Sequence, residues 1–174
     1  MEARHASDSQ SRRRSRRLLA AAAILMAASI AATVANATTG GSPLTLAGRN
    51  VLTGKPLSLA ADAGRPVVVN LWSSSCGACF ADAKALATFE RTHPAARVLG
   101  VDITDSTAGA RSLYRRAGWR HPSIADPAGR IAAQLRMQTL PTTLFLNTRH
   151  EIVERINGQT TAAGFAAGYH KAST

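Results

Sequence analysis

Cys76 and Cys79 are the only cysteines in the 174-residue chain, and their spacing lets one turn of helix carry both. They close the stretch V-V-V-N-L-W-S-S-S-C-G-A-C, which runs from Val67 to Cys79. Its first half is apolar and β-branched, as a strand buried on both faces would be. A strand that delivers a Cys-x-x-Cys to the start of a helix suits thiol exchange, because free N–H groups in the first turn stabilise a thiolate. The more exposed N-terminal thiolate attacks a partner's disulfide, and the second thiol resolves the mixed disulfide. Cys76 is assigned the attack and Cys79 the resolution. The redox group is then the Cys76–Cys79 disulfide itself, with no other cofactor and no metal expected.

Three other uses of the pair compete. A structural disulfide is open to any exported protein, although so short a loop constrains the unfolded chain little. Zinc would need two more ligands, and His93, His121, His150 and His170 are scattered without ligand-like pairing. Inert buried thiols are disfavoured outside the cytoplasm, where neighbouring thiols oxidise.

Other residues bear on the same chemistry. Asp82 follows Cys79 by one turn and falls on its face of the helix. Buried, with its pKa raised by desolvation, it would take the resolving thiol's proton; otherwise it is an acid of the helix's first turn that favours the macrodipole. Pro141 also has two readings. A cis proline beside the cysteines would expose the preceding backbone, at Leu140, to an extended substrate; the alternative is an ordinary proline at the start of a strand. Leu140, Pro141 and Trp72 are assigned to substrate binding, Trp72 also packing against the cysteine loop. Asn70 can hydrogen-bond locally but is no base, and Lys84 is expected to be solvated.

The elements that must position these residues follow from periodicity and punctuation. Leu44–Leu46 and Val51–Leu52 suggest a peripheral hairpin or short strand, and 57–63 one helical turn before Gly64 and Pro66. Val67–Leu71 is a central strand, 77–91 a helix ended by His93-Pro94, and 97–103 a second parallel strand. A helix over 107–117 stops at Gly118, 119–126 is extended and irregular, and 128–135 is a short helix. Strands at 142–147 and 151–156 form an antiparallel pair around the turn at 148–150, and a helix over 161–170 closes the chain. Such an order calls for an α/β fold with a central mixed sheet flanked by helices.

The N-terminus reads as an address preceding one domain over 44–174. Six arginines at 4, 12, 13, 14, 16 and 17 precede an uncharged stretch from Leu18 to Val34 and then A-N-A at 35–37. That is an export-signal pattern with cleavage after Ala37, or an uncleaved membrane anchor through 18–34, followed by a spacer at 38–43. Either form places the domain outside the cytoplasm. Ser15-Arg16-Arg17-Leu18-Leu19 also resembles a twin-arginine signal. The formal charge of +11 is concentrated in no folded element, so a solvated basic surface is expected and nucleic acid is not.

In order, N-L-W-S-S-S-C-G-A-C with Asp82, the G-V-D strand, L-P-T-T-L-F-L-N and Ile156-Asn157-Gly158 resemble the thioredoxin-like superfamily. More narrowly they are similar to the TlpA/ResA/DsbE group of exported bacterial thiol-disulfide oxidoreductases, from about Leu44 to Phe165. The resemblance implies a thioredoxin fold, with Cys76 as nucleophile, Cys79 as resolver, Pro141 as the cis proline and Asp82 as the acid that tunes the pair. It also implies an additional helix and strand within 113–126. Protein thiols or disulfides would be the substrates, with a membrane or extracytoplasmic redox partner. The role would be reductive, of the cytochrome c maturation type. An oxidant of protein thiols, or a binding or chaperone module with a structural disulfide, are the alternatives. Ser75 and Ala78 depart from the group, which commonly has an aromatic before the first cysteine and a proline before the second.

Overall fold

The structure is a computed structural model in which residues 41–174 are described. The signal or anchor expected over 1–37, its cleavage after Ala37 and the first residues of the spacer lie outside the described residues. Among the described residues no helix is long and apolar enough to cross a membrane.

Strands β1 (Ala47–Arg49) and β2 (Pro56–Ser58) form an antiparallel hairpin, followed by a 3-10 turn at Leu59–Asp62. The apolar pieces are not its strands. Leu46 and Val51 flank β1 and turn into the core, while the Asn50 side chain accepts from the N–H groups of Leu52 and Thr53 to make the bend. Next come β3 (Val67–Trp72), α1 (Gly77–Thr92), β4 (Arg97–Ile103) and α2 (Thr107–Ala117). The chain ends with β5 (Ser123–Asp126), α3 (Arg130–Gln134), β6 (Thr142–Leu146), β7 (Ile152–Asn157) and α4 (Ala162–Ser173).

Five strands form one mixed sheet in the order β5-β4-β3-β6-β7. Strand β3 is central, parallel to β4 and antiparallel to β6, and all six of its residues are buried. The crossovers β3-α1-β4 and β4-α2-β5 step the same way along the sheet, so their common right-handedness puts both helices on one face. Helix α4 joins them there. Val68 and Trp72 point into that layer, against Leu86, Phe89, Leu113 and Phe165. Val67, Val69 and Leu71 point to the other, against Leu46, Leu59, Ile124 and Leu135, which belong to the N-terminal segment, β5 and the end of α3. This is the thioredoxin arrangement that the resemblance implies.

The segment 119–126 is less irregular than its composition suggests. Ser123–Asp126 pairs in parallel with Gly100–Ile103 as the edge strand β5. Four residues following Pro122 carry no alternation long enough to show period two. What orders them is β4, already in place, together with the Tyr114 hydroxyl, 2.9 Å from the His121 carbonyl oxygen to which it donates.

Helix α4 lies close against β6, because a Cβ at Gly168 would fall on the ring of Phe145, with Cε1 2.6 Å away. Gly168→Ala should therefore destabilise the protein although alanine is the better helix former. Overpacking a buried ring outweighs the propensity gain, for a net loss on the order of 1–2 kcal/mol in urea denaturation. A stabilised variant would mean that α4 can shift away from the sheet.

Candidate functional site

Cys76 is the N-cap of α1, with φ −88° and ψ 110°, and its Sγ accepts the backbone N–H of Cys79 at 3.1 Å. A sulfur so placed takes the capping role that a serine or aspartate oxygen usually fills, and as a thiolate it would accept that bond more strongly. The two cysteines form a disulfide with Cα atoms 5.2 Å apart. Cys79 is 1% exposed and Cys76 half-buried, so an incoming group meets Cys76 first.

The loop between β3 and α1 is tied down from a distant segment. Asp105 accepts the Ser74 N–H at 2.6 Å, the Ser74 hydroxyl at 2.8 Å and the Ser106 N–H at 2.7 Å. Gly109 permits this approach, since any Cβ there would collide with Ser74 Oγ. Neither Asp105 nor Gly109 stood out in the sequence, where T-D-S-T looks only like the start of a helix. Asp102, on β4, is 2% exposed, and its Oδ1 has no hydrogen-bond partner. Burial, and then the neighbouring Asp105 carboxylate, push its pKa up to about 8.

Asp82 is buried as well, at 2% exposure, in the second turn of α1. The reading of it as an acid favouring the macrodipole therefore fails on position and on burial. Its Oδ1 accepts the Thr160 N–H at 2.8 Å and its Oδ2 the Asn70 side-chain amide at 3.5 Å, while Asn70 also donates to Thr143 Oγ1 at 3.1 Å. Desolvation outweighs both hydrogen bonds and raises its pKa to about 6. The loop after β7 thus closes on α1 through Thr160, and also through Gln159, whose side-chain amide donates to the Ala78 carbonyl at 3.1 Å.

The Leu140-Pro141 peptide bond is cis. Thr142 pairs with Leu71, which brings Pro141 to the end of the sheet where β3 gives way to the cysteine loop. Leu140 is half-buried against the same apolar layer as Cys76. Trp72 is placed differently from its assignment to substrate. It is 0% exposed, its Nε1 donates to Ser123 Oγ at 3.2 Å, and its ring meets Tyr114 and Trp119 edge-on at 5.8 and 5.2 Å. It supports the site from behind, with no surface left for a substrate. Lys84 is exposed. Among the described residues no three His, Cys, Asp or Glu side chains gather into a metal-binding group.

Known proteins are similar to this chain in two ways. The model of the AhpC/TSA family matches residues 43–155. Among solved structures, a DsbF homologue from Corynebacterium diphtheriae is 23% identical with a TM-score of 0.70, covering 78% of this chain and 89% of that one. A secreted thiol-disulfide isomerase from Corynebacterium glutamicum is 21% identical at 0.69, covering 78% and 87%. A secreted Mycobacterium tuberculosis disulfide oxidoreductase, homologous to E. coli DsbE, is 18% identical at 0.65, covering 72% and 94%. At these identities the likeness is one of fold. No curated protein matches the chain.

A carboxyl raised from 3.8 to about 6 by burial stabilises the fold while it is protonated, and that contribution is lost as pH rises through about 6. Asp82→Asn keeps an oxygen for the Thr160 N–H and removes the titration. Between about pH 5 and pH 8 the wild type should therefore lose stability relative to the variant. Asp102, present in both proteins, cancels in the difference. Urea midpoints at the two pH values check this, and parallel pH dependences would contradict it.

Proposed function

The chain belongs to the AhpC/TSA family, and from that premise we propose that it is an extracytoplasmic thiol-disulfide oxidoreductase acting on protein cysteines through Cys76 and Cys79. The observation that carries the reading is the asymmetry of the pair: a half-exposed sulfur at a helix N-cap, joined to a buried one. A disulfide serving only as a staple has no use for either feature.

In the reductive direction the Cys76 thiolate, held by the Cys79 N–H, attacks one sulfur of a substrate disulfide. That S–S bond breaks as the Cys76–substrate bond forms, and the first substrate sulfur leaves as a thiolate and takes up a proton. Asp82, one turn beyond Cys79 and with a pKa near the operating pH, accepts the proton of the Cys79 thiol. The Cys79 thiolate then attacks Cys76 Sγ, releasing the second substrate thiolate and leaving the Cys76–Cys79 disulfide. Two electrons have passed to the substrate, and a membrane or extracytoplasmic redox partner must return them to the protein. Leu140 and Pro141 lie where the substrate backbone would rest. The arginine cluster and apolar stretch of the N-terminal 37 residues support export. The group resemblance supports reduction of partner disulfides, of the cytochrome c maturation type.

Cys79→Ser should trap mixed disulfides with extracytoplasmic proteins through Cys76, and Cys76→Ser should not, as read on non-reducing gels with partners identified by mass. If neither variant traps, the chain is a binding module with a structural disulfide. Direction is decided separately by equilibration with glutathione. A potential well below that of the strong oxidants, which lie at about −120 mV, is expected; a value near theirs would make the protein a donor of disulfides.

A further inference from the structure

The described residues carry more positive charge than their own acids neutralise. Between residues 41 and 174 there are fifteen Lys and Arg and eight Asp and Glu, and every one of the eight acids is committed. Asp82, Asp102 and Asp126 are buried. Asp62 pairs with Arg97, Glu90 with His121, Glu151 with Arg149 and Glu154 with Lys171. Asp105 is occupied by Ser74 and Ser106. Of the fifteen cations only Arg97, Arg149 and Lys171 are paired in this way, so most of the Lys and Arg have no carboxylate partner among the described residues.

Two of these cations converge on the residue that follows Cys79. Phe80, the residue after Cys79, has the Arg116 guanidinium 4.7 Å from its ring centroid and the Lys84 ammonium 5.8 Å from it. Among the described residues neither has a carboxylate within 4.0 Å. The ring face attracts both cations, but two like charges over one ring repel each other, and an incoming anion relieves that repulsion. The loops that frame the disulfide, S-S-S-C-G-A-C-F, T-L-P-T and N-G-Q-T-T, are uncharged. No acidic side chain in them would oppose a negative partner.

We infer that Lys84, Arg116 and the Phe80 ring between them form a docking surface for protein substrates whose reacting cysteines are flanked by acidic side chains. The inference rests on the thiol-exchange reading and adds a substrate class to it. A protein partner is favoured over an anionic bilayer because the paired cations sit on the residue adjoining Cys79, where contact also brings a flanking segment to the sulfurs. Steering of this kind acts mainly on the encounter rate and is screened by salt.

The test uses the full chain in its reduced form and three disulfide peptides that differ only in flanking Glu, Gln or Lys. Each rate is divided by the same protein's rate on 2-hydroxyethyl disulfide, a neutral probe. At low ionic strength the Glu peptide should react roughly tenfold faster than the Lys peptide. The preference should shrink to near unity in about 0.5 M salt. In the double variant Lys84→Glu, Arg116→Glu it should reverse. Equal rates for the three peptides, or a preference that survives charge reversal, overturn the inference. A variant that keeps the peptide preference but loses the wild type's preference for phosphatidylglycerol over phosphatidylcholine vesicles overturns it in favour of a membrane surface. Failure of the wild type to reduce the neutral probe overturns the thiol-exchange reading as well, so the two failures are distinguishable.

Discussion

A strand hydrogen-bonded on both edges and buried on both faces has almost no freedom to move, and β3 is such a strand. Val67, Val69 and Leu71 are held in one apolar layer and Val68 and Trp72 in the other, with β4 and β6 on either side. The point at which the chain leaves the sheet is thereby set. Four residues later Cys76 becomes the N-cap of α1, and the Cys79 N–H meets its sulfur. A shift of the strand by one residue would exchange its two faces and carry the cysteines away from the helix start. Asp105 holds the short loop between them through Ser74, so the nucleophile's position is a consequence of core packing and two hydrogen bonds.

The electrostatics of the domain run in opposite senses inside and out. Asp82 receives two hydrogen bonds that favour its charged form, yet desolvation is larger and leaves its pKa near 6. A carboxyl that holds its proton up to that pH stabilises the fold only while protonated, so the group that suits proton transfer with a thiol weakens the folded state at neutral pH. Asp102 is poised higher still, at about 8, beneath the loop that Asp105 anchors. Outside, the acids of the described residues are engaged in local pairs and hydrogen bonds or withdrawn into the core. The segments that carry and face the disulfide are themselves uncharged, and Lys84 and Arg116 lie over Phe80, the residue after Cys79.

Much of this was legible in a single sequence because it is written in local patterns. The β-branched run at 67–71, the Cys-x-x-Cys, Gly118 as a left-handed cap and the helical spacing of 77–91 each depend on neighbours within one or two turns. Strand β5 was harder, since four residues acquire strand geometry only by pairing with β4. Trp72 was misjudged for a related reason. Its position next to the cysteine loop is visible in the sequence, whereas its burial depends on Tyr114, Trp119 and Ser123, which lie 42 or more residues away.

The chain's own order of residues determined the chemistry on offer: two sulfurs one turn apart, an acid one turn further on, and a strand to carry them. Only the tertiary structure decided how each is used. Burial separated Cys76 from Cys79, took Asp82 out of water, closed Thr160 over it and left Arg116 and Lys84 over Phe80 with no carboxylate partner among the described residues. The reason is physical. Spacing sets which side chains share a face, but solvent exposure and charge balance depend on segments that meet only when the chain has folded.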